Sequence, residues 1–237
     1  MRRGKRRNDM HSAVVLLSGG LDSSTLLRMV VRREGCERVY ALTMGYGQKH
    51  IREVDCAMRQ AKAMAVQEHK VLDISCYGDL AGGASSLTAA GMSVPDLSDI
   101  PDSETDQPST YVPNRNMILL SLAAAYAEKN KCNLVYYGAQ QQDRYGYWDC
   151  TVEFVERINA LLALNRRNPI EVRAPFALLR KSAVLRIGLE LGLDPVQTWT
   201  CYRGGSLPCG RCPSCVERQE AFRELGLSDP LMREGRG

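Results

Sequence analysis

Two groups of residues in this chain can do chemistry, and they lie at opposite ends of it. The first is the string Ser18-Gly19-Gly20-Leu21-Asp22-Ser23, set between an apolar run and a helix-like stretch. Glycines at 19 and 20 let the backbone turn sharply and approach a phosphate with no Cβ in the way. The helix that follows aims its free N–H groups and positive dipole end at the anion. Ser18 and Ser23 hydroxyls can donate to phosphate oxygens, and Leu17, Leu21 and Ser24 complete the strand-to-helix turn. Asp22 is the odd member, because a carboxylate among phosphates serves either a bridging Mg²⁺ or a helix cap. The string is not a GxxxxGK[ST] loop. Nor does Gly45-Tyr46-Gly47 extend to a dinucleotide fingerprint, since His50 stands where the third glycine belongs.

The second group is Cys201, Cys209, Cys212 and Cys215, with seven, two and two residues between them. Gly210 and Pro213 suit the tight turns that such steps need. Four thiolates favour a closed, tetrahedral, structural Zn²⁺ site. Ligand type alone also admits an iron–sulfur cluster. No coordination position is left open, so no catalytic role is expected there. Cys36, Cys56, Cys76 and Cys132 read as small hydrophobes.

The elements that must position these groups alternate. Apolar runs at residues 13–17, 39–44, 71–74, 134–138 and 170–172 predict strands. Helical periodicity predicts helices over 23–33, 50–66, 117–129, 152–164 and 181–191. This order predicts an α/β fold: a Rossmann-like parallel sheet with helices on both faces. Ligands of such sheets sit beyond the carboxyl ends of the strands, where the Ser18 loop falls. Residues 78–110, rich in Gly, Ser, Asp and Pro, predict a long loop over a site. The expected organisation is a basic, disordered tail over 1–11, an α/β nucleotide-binding domain over 12–197, and a four-cysteine module with a C-terminal helix over 198–237.

The chain has 237 residues, of which 44% are hydrophobic and 24% charged, as in ordinary globular proteins. No apolar run approaches the roughly 20 residues of a membrane span. Nine cysteines, four of them crowded together, argue against a disulfide framework, so a cytoplasmic protein is expected. Arg2, Arg3, Lys5, Arg6 and Arg7 supply +5 against a formal net charge of +4, so the rest of the chain is close to neutral. They read as a solvated extension, so nucleic acid is not the expected partner.

The Ser18 string after the first strand resembles the PP-loop (N-type) ATP pyrophosphatases. Further segments narrow the likeness: Tyr46-Gly47-Gln48-Lys49-His50, Ile100-Pro101, Tyr111-Val112-Pro113-Asn114-Arg115-Asn116, Gly146-Tyr147-Trp148-Asp149-Cys150, Thr200-Cys201-Tyr202 and the C-terminal cysteines. Together they are similar to the 7-cyano-7-deazaguanine synthase family. The resemblance implies an ATP-dependent ligase taking 7-carboxy-7-deazaguanine and ammonia to the nitrile, with Mg²⁺, a Zn²⁺ site and a homodimer. It implies catalytic roles for Asp22, Ser23, Arg115 and Lys181, the last two neutralising the departing pyrophosphate. It also places the deazaguanine against Asp143, Tyr147, Asp149 and His50, with Tyr145 and Trp148 as further stacking surfaces. Four positions depart from the family pattern: Gly45 for Asp, Asn114 for Gly, Trp148 for Pro and Thr151 for Arg. Competing expectations are a relative that stops at the amide or passes the acyl group to another amine, a tRNA-thiolating enzyme using Cys150, and a zinc-knuckle RNA binder.

Overall fold

The computed structural model describes residues 11–48, 52–81, 83–89, 91–100, 107–141, 143 and 146–233. His50 and Tyr145, two of the expected substrate contacts, lie outside the described residues, as does the basic tail up to residue 10.

Five parallel strands form one sheet in the order β3-β2-β1-β4-β5. These are β1 (Ser12–Leu16), β2 (Arg38–Gly45), β3 (Glu68–Asp73), β4 (Leu134–Tyr136) and β5 (Glu171–Arg173). The helices between and after them are α1 (Leu21–Arg32), α2 (Arg52–Ala63), α3 (Ser75–Leu80), α4 (Arg115–Lys129), α5 (Val152–Leu162), α6 (Lys181–Glu190), α7 (Pro213–Glu224) and α8 (Pro230–Arg233). The doubly covered parallel sheet is the one expected. Three details differ: α1 begins at Leu21, inside the phosphate loop, β3 begins three residues earlier than its apolar run, and an unexpected helix, α3, runs into the expected loop as far as Leu80. Only Ile74 there is buried while most of β3 is exposed, as befits an edge strand whose sequence does not read as a core run. Within the expected 78–110 loop, a 3₁₀ turn forms at Leu97–Asp99.

The alternation of side chains along each central strand divides the core in two. Val14, Tyr40, Leu42, Met44 and Val135 face one cluster, with α4 and α5. Ala13, Val15, Val39, Ala41, Leu134 and Tyr136 face the other, with α1, α6 and α7. Cys201, Cys212 and Cys215 join the first cluster, and Ala221 and Phe222 of α7 the second, so the cysteine segment is built into both layers. Helices α1 and α6 cross closely where Gly188 faces the Thr25 hydroxyl: a Cβ there would stand 2.5 Å from that oxygen. Cys56 and Cys132 are buried as expected; Cys76 is exposed and Cys36 half-exposed, each at an element edge where burial is incomplete.

Arg218 of α7 is fully buried and ties the C-terminal segment together. It donates to both oxygens of Asp229 (2.7 and 3.1 Å), to the Thr198 and Thr200 hydroxyls, and to the Pro195 carbonyl. Asp229→Ala is expected to destabilise the protein by about 3–5 kcal/mol, because it strands a desolvated guanidinium. Replacing both partners by apolar residues should recover most of that loss in denaturant titration. A single variant within 1 kcal/mol of the parent, on the order of a surface substitution, would contradict this reading.

Candidate active site

The phosphate loop lies where β1 meets α1, at the carboxyl edge of the sheet. Its own hydroxyls shape it. Ser18 N donates to Ser23 Oγ (3.2 Å), the two hydroxyls meet at 3.0 Å, Gly20 N donates to Ser18 Oγ (3.2 Å), and Ser23 Oγ donates to the Gly20 carbonyl (3.3 Å). Gly19 has φ +88°, and a Cβ on it would lie 2.1 Å from the Glu53 carbonyl oxygen of α2. Both the left-handed backbone and the close approach therefore require glycine. Trp199 N donates to the Gly19 carbonyl (3.1 Å), which pins the loop from the other side.

This loop forms one wall of a cavity of about 240 Å³. Of the expected ATP-binding residues, Leu17, Ser18, Gly20, Leu21, Asp22 and Ser23 line it. Gly19 and Ser24 stand behind, the first against α2 and the second fully buried. Leu42, Thr43 and Met44 at the end of β2 extend the wall, as do Gly138 and Ala139 after β4.

Lys181, the first residue of α6, reaches the loop from a site 159 positions away in sequence. Its Nζ donates to Asp22 Oδ2 (3.1 Å) and to Glu217 of α7 (3.5 Å). Burial alone would lower its pKa, but the carboxylates of Asp22, Glu217 and Asp143 outweigh that and hold it above its ordinary value. Lys181 is therefore a permanent cation at the loop. Among the described residues, one oxygen of Asp22, Oδ1, is buried with no hydrogen-bond partner. A buried carboxylate oxygen beside a phosphate loop fits a Mg²⁺ ligand.

Arg115 opens α4 and lines the cavity, with Nη1 3.5 Å from the Tyr46 hydroxyl. Tyr147 also lines it, and its hydroxyl meets Thr110 Oγ1 at 2.6 Å. Asp143 is on the same wall. Asp149 takes a different position. It is buried away from the cavity lining, and its Oδ2 accepts from the Asn116 backbone N–H (3.0 Å) in the first turn of α4. Its carboxylate thus anchors the 148–150 turn to the helix that carries Arg115. Burial pushes the neighbouring Cys150 thiol well above its ordinary range, with Asp143 and Asp149 adding to the effect.

The departures from the family pattern have local explanations at three of four positions. Asn114 sits at φ 56°, ψ 24°, a left-handed conformation that asparagine tolerates best after glycine. Trp148 donates its Nε1–H to the Tyr111 hydroxyl (2.9 Å) and packs edge-on against Phe154. Thr151 caps α5, accepting from Phe154 N (3.1 Å). Gly45 faces open space, and nothing in the structure explains its loss of an acidic side chain.

Sequence reasoning missed Glu217, the second partner of Lys181, and the cavity residues Trp199, Thr200, Tyr202 and Ser214. The available signal was adjacency: all five lie within two residues of a ligand-type cysteine. The sulfurs of Cys201, Cys209, Cys212 and Cys215 lie within 4.8 Å of one another. A tetrahedral metal with arms of about 2.3 Å spaces its sulfurs by about 3.8 Å, so the four fit one ion. Backbone N–H groups of Cys209 and Cys212 donate to cluster sulfurs at 3.4 and 3.3 Å, as expected around thiolates.

Among solved structures, NMN synthetase from Francisella tularensis matches with a TM-score of 0.52 at 14% identity, covering 95% of this chain and 81% of that one. That likeness speaks to the fold. Among curated proteins, the 7-cyano-7-deazaguanine synthase of Marinobacter nauticus is 46% identical over 226 residues, 94% of this chain and 97% of its own. That of Pseudoalteromonas atlantica is 46% identical over 228 residues, 95% of this chain and all of its own. Residues 12–226 match the family Queuosine biosynthesis protein QueC, from the first residue of β1 to just past α7. Since the match takes in both the phosphate loop and the four cysteines, the chain belongs to the QueC family.

Proposed function

We propose that this protein is an ATP-dependent ligase converting 7-carboxy-7-deazaguanine and ammonia into 7-cyano-7-deazaguanine. The observation that carries the reading is one cavity lined by the phosphate loop, by two cations from separate helices, and by a tyrosine-bearing turn fit to hold a flat heterocycle.

A carboxylate is a poor electrophile. Its oxygen attacks the α-phosphorus of ATP, giving an acyl-adenylate and pyrophosphate. Ammonia displaces AMP to give the amide, and a second adenylation on the amide oxygen allows loss of AMP and formation of the nitrile. Loop N–H groups and the Ser18 and Ser23 hydroxyls hold the pyrophosphate portion. Lys181 and Arg115 neutralise the charge that develops on it. Asp22 would hold Mg²⁺ through Oδ1, and the ion supplies charge neutralisation on the departing phosphates. Tyr147 supplies a ring face to the heterocycle, while Asp149 orients the turn behind it. His50 is proposed as a further contact on the substrate side. The four cysteines hold a structural Zn²⁺ that takes no part in the reaction. A homodimer is proposed for the assembled protein.

Tests of the reading use purified protein with 7-carboxy-7-deazaguanine, ATP and ammonia, and follow AMP, pyrophosphate and product mass. Two AMP per nitrile is the expected outcome; amide as the sole end product would sink the nitrile reading. A thiol-transfer role for Cys150 is not favoured, because its buried thiol stays protonated near neutral pH.

A further inference from the structure

Helix α7 is held at its start by two anchors. Cys212 immediately precedes it and Cys215 lies in its first turn, and both are fully buried. Arg218 follows, the buried guanidinium bonded to Asp229, Thr198, Thr200 and the Pro195 carbonyl. Glu217 stands between these anchors, so its backbone is fixed independently of its own side chain. That side chain is 33% exposed and lines the cavity. A partly exposed ion pair adds little to stability, and α7 does not need this one to stay in place.

Glu217 Oε2 accepts from Lys181 Nζ at 3.5 Å, and Asp22 Oδ2 accepts from the same ammonium at 3.1 Å. The three groups come from three helices: Asp22 from the first turn of α1, Lys181 from the start of α6, Glu217 from α7. A lysine ammonium is a compact charge on a flexible four-carbon stem. One carboxylate fixes only how near that charge comes to a single point. Two carboxylates on separate helices fix where it stands. With Asp22 alone, the ammonium would close onto the phosphate loop's own carboxylate and be neutralised there. A second, longer contact from α7 opposes that pull and leaves the charge shared.

Resting on the role of Lys181 in the adenylation described above, we propose that Glu217 is a positioning residue that holds the Lys181 ammonium between α1 and α7, clear of full pairing with Asp22, while pyrophosphate departs. Glu217 moves no proton in this role and acts only through Lys181. The cysteine segment then serves the reaction through one carboxylate, although its four cysteines are not among the residues lining the cavity.

A residue that acts only through another must fail together with it, which a double-mutant cycle reads directly. Parent, Glu217→Ala, Lys181→Met and the double variant are compared by pyrophosphate release from ATP with 7-carboxy-7-deazaguanine. Glu217→Ala should lower kcat about tenfold and change KM for ATP by less than about threefold, since the lost interaction matters as charge develops. In the Lys181→Met background the same substitution should change kcat by less than about twofold. Glu217→Gln, which offers an acceptor at the same reach, should recover part of the loss. The Tm of Glu217→Ala should stay within about 2 °C of the parent, as for a surface substitution. Equal losses in the two backgrounds would give Glu217 a role apart from Lys181 and overturn the proposal, as would Glu217→Ala at the parent rate. If Glu217→Ala does not fold, Glu217→Gln carries the same comparison, with a loss in the parent and none in Lys181→Met. Lys181→Met at the parent rate contradicts the role of Lys181 itself. That outcome appears in the single variant, so it is told apart from a failure of Glu217 alone.

Discussion

Lys181→Met is expected to lower the adenylation rate by about 10²–10³-fold, the usual loss when one preorganised charge-stabilising donor is removed from a closed site. The physical reason is specific to its position. Lys181 is 5% exposed and bonded to two acidic side chains, Asp22 and Glu217. Taking it away leaves those carboxylates facing one another, and facing a nucleotide that adds further negative charge. Lys181→Arg should not rescue the rate, because a planar fork cannot replace a compact ammonium in this narrow corner. Arg115→Met should cost less, since Arg115 is only part-buried and its side chain, among the described residues, reaches just the Tyr46 hydroxyl, at 3.5 Å. Pyrophosphate release measured against 7-carboxy-7-deazaguanine separates the cases. A Lys181→Met rate above about a tenth of the parent would remove Lys181 from the chemistry. The raised pKa of Lys181 adds a corollary. Its charge persists through neutral and mildly alkaline pH, so any alkaline fall in rate belongs to another group.

How much of this site the sequence could disclose depended on whether its parts are local. The phosphate loop is contiguous, and its glycines, hydroxyls and following helix state their purpose within six residues. The four cysteines are nearly so, with ligand spacing set by turn geometry. The sheet was legible where strands are buried on both faces: β1 reads as an unbroken apolar run, while the exposed edge strand β3 was placed late. What local pattern cannot show is convergence. Glu217 is an ordinary helical glutamate until α7 folds against α6 and brings it to Lys181. Asp149 carried the right residue type for a nucleobase partner, yet the Asn116 N–H at the start of α4 claims its carboxylate. Asp143 and Asp149 differ by six positions, but one lines the cavity and the other is buried outside its lining. Asn114, Trp148 and Thr151 read as departures from a pattern in one dimension; in three they are a left-handed turn, a ring contact and a helix cap.

Removing one cluster thiolate should do more damage than its distance from the reacting atoms suggests. Cys212→Ser is expected to abolish both tight metal binding and turnover. Cys212 is fully buried in the core cluster shared with α4 and α5, and the segment around the four sulfurs supplies Thr200, Tyr202, Ser214 and Glu217 to the cavity wall. The same segment also holds the 93–99 stretch. Arg203 donates to Asp96 (2.6 Å) and to the Val94 carbonyl, and Leu97 N donates to the Arg211 carbonyl (3.0 Å). Loss of the ion proposed for that site would leave four thiols, three of them buried, with no common partner. The free energy of a structural Zn²⁺ site, about 10–16 kcal/mol in small metal-folded peptides, is largely folding free energy. Even a quarter of that would lower Tm by roughly 10 °C for a chain of this size. Metal content should drop from one ion per chain to near zero, proteolysis should appear within 93–99, and the Lys181–Glu217 contact should be lost with α7. Competition with a chelator on the parent protein should reproduce all three effects in proportion to metal removed. If Cys212→Ser kept its fold and turnover while losing the ion, the cluster would be an ornament to the site instead of its wall.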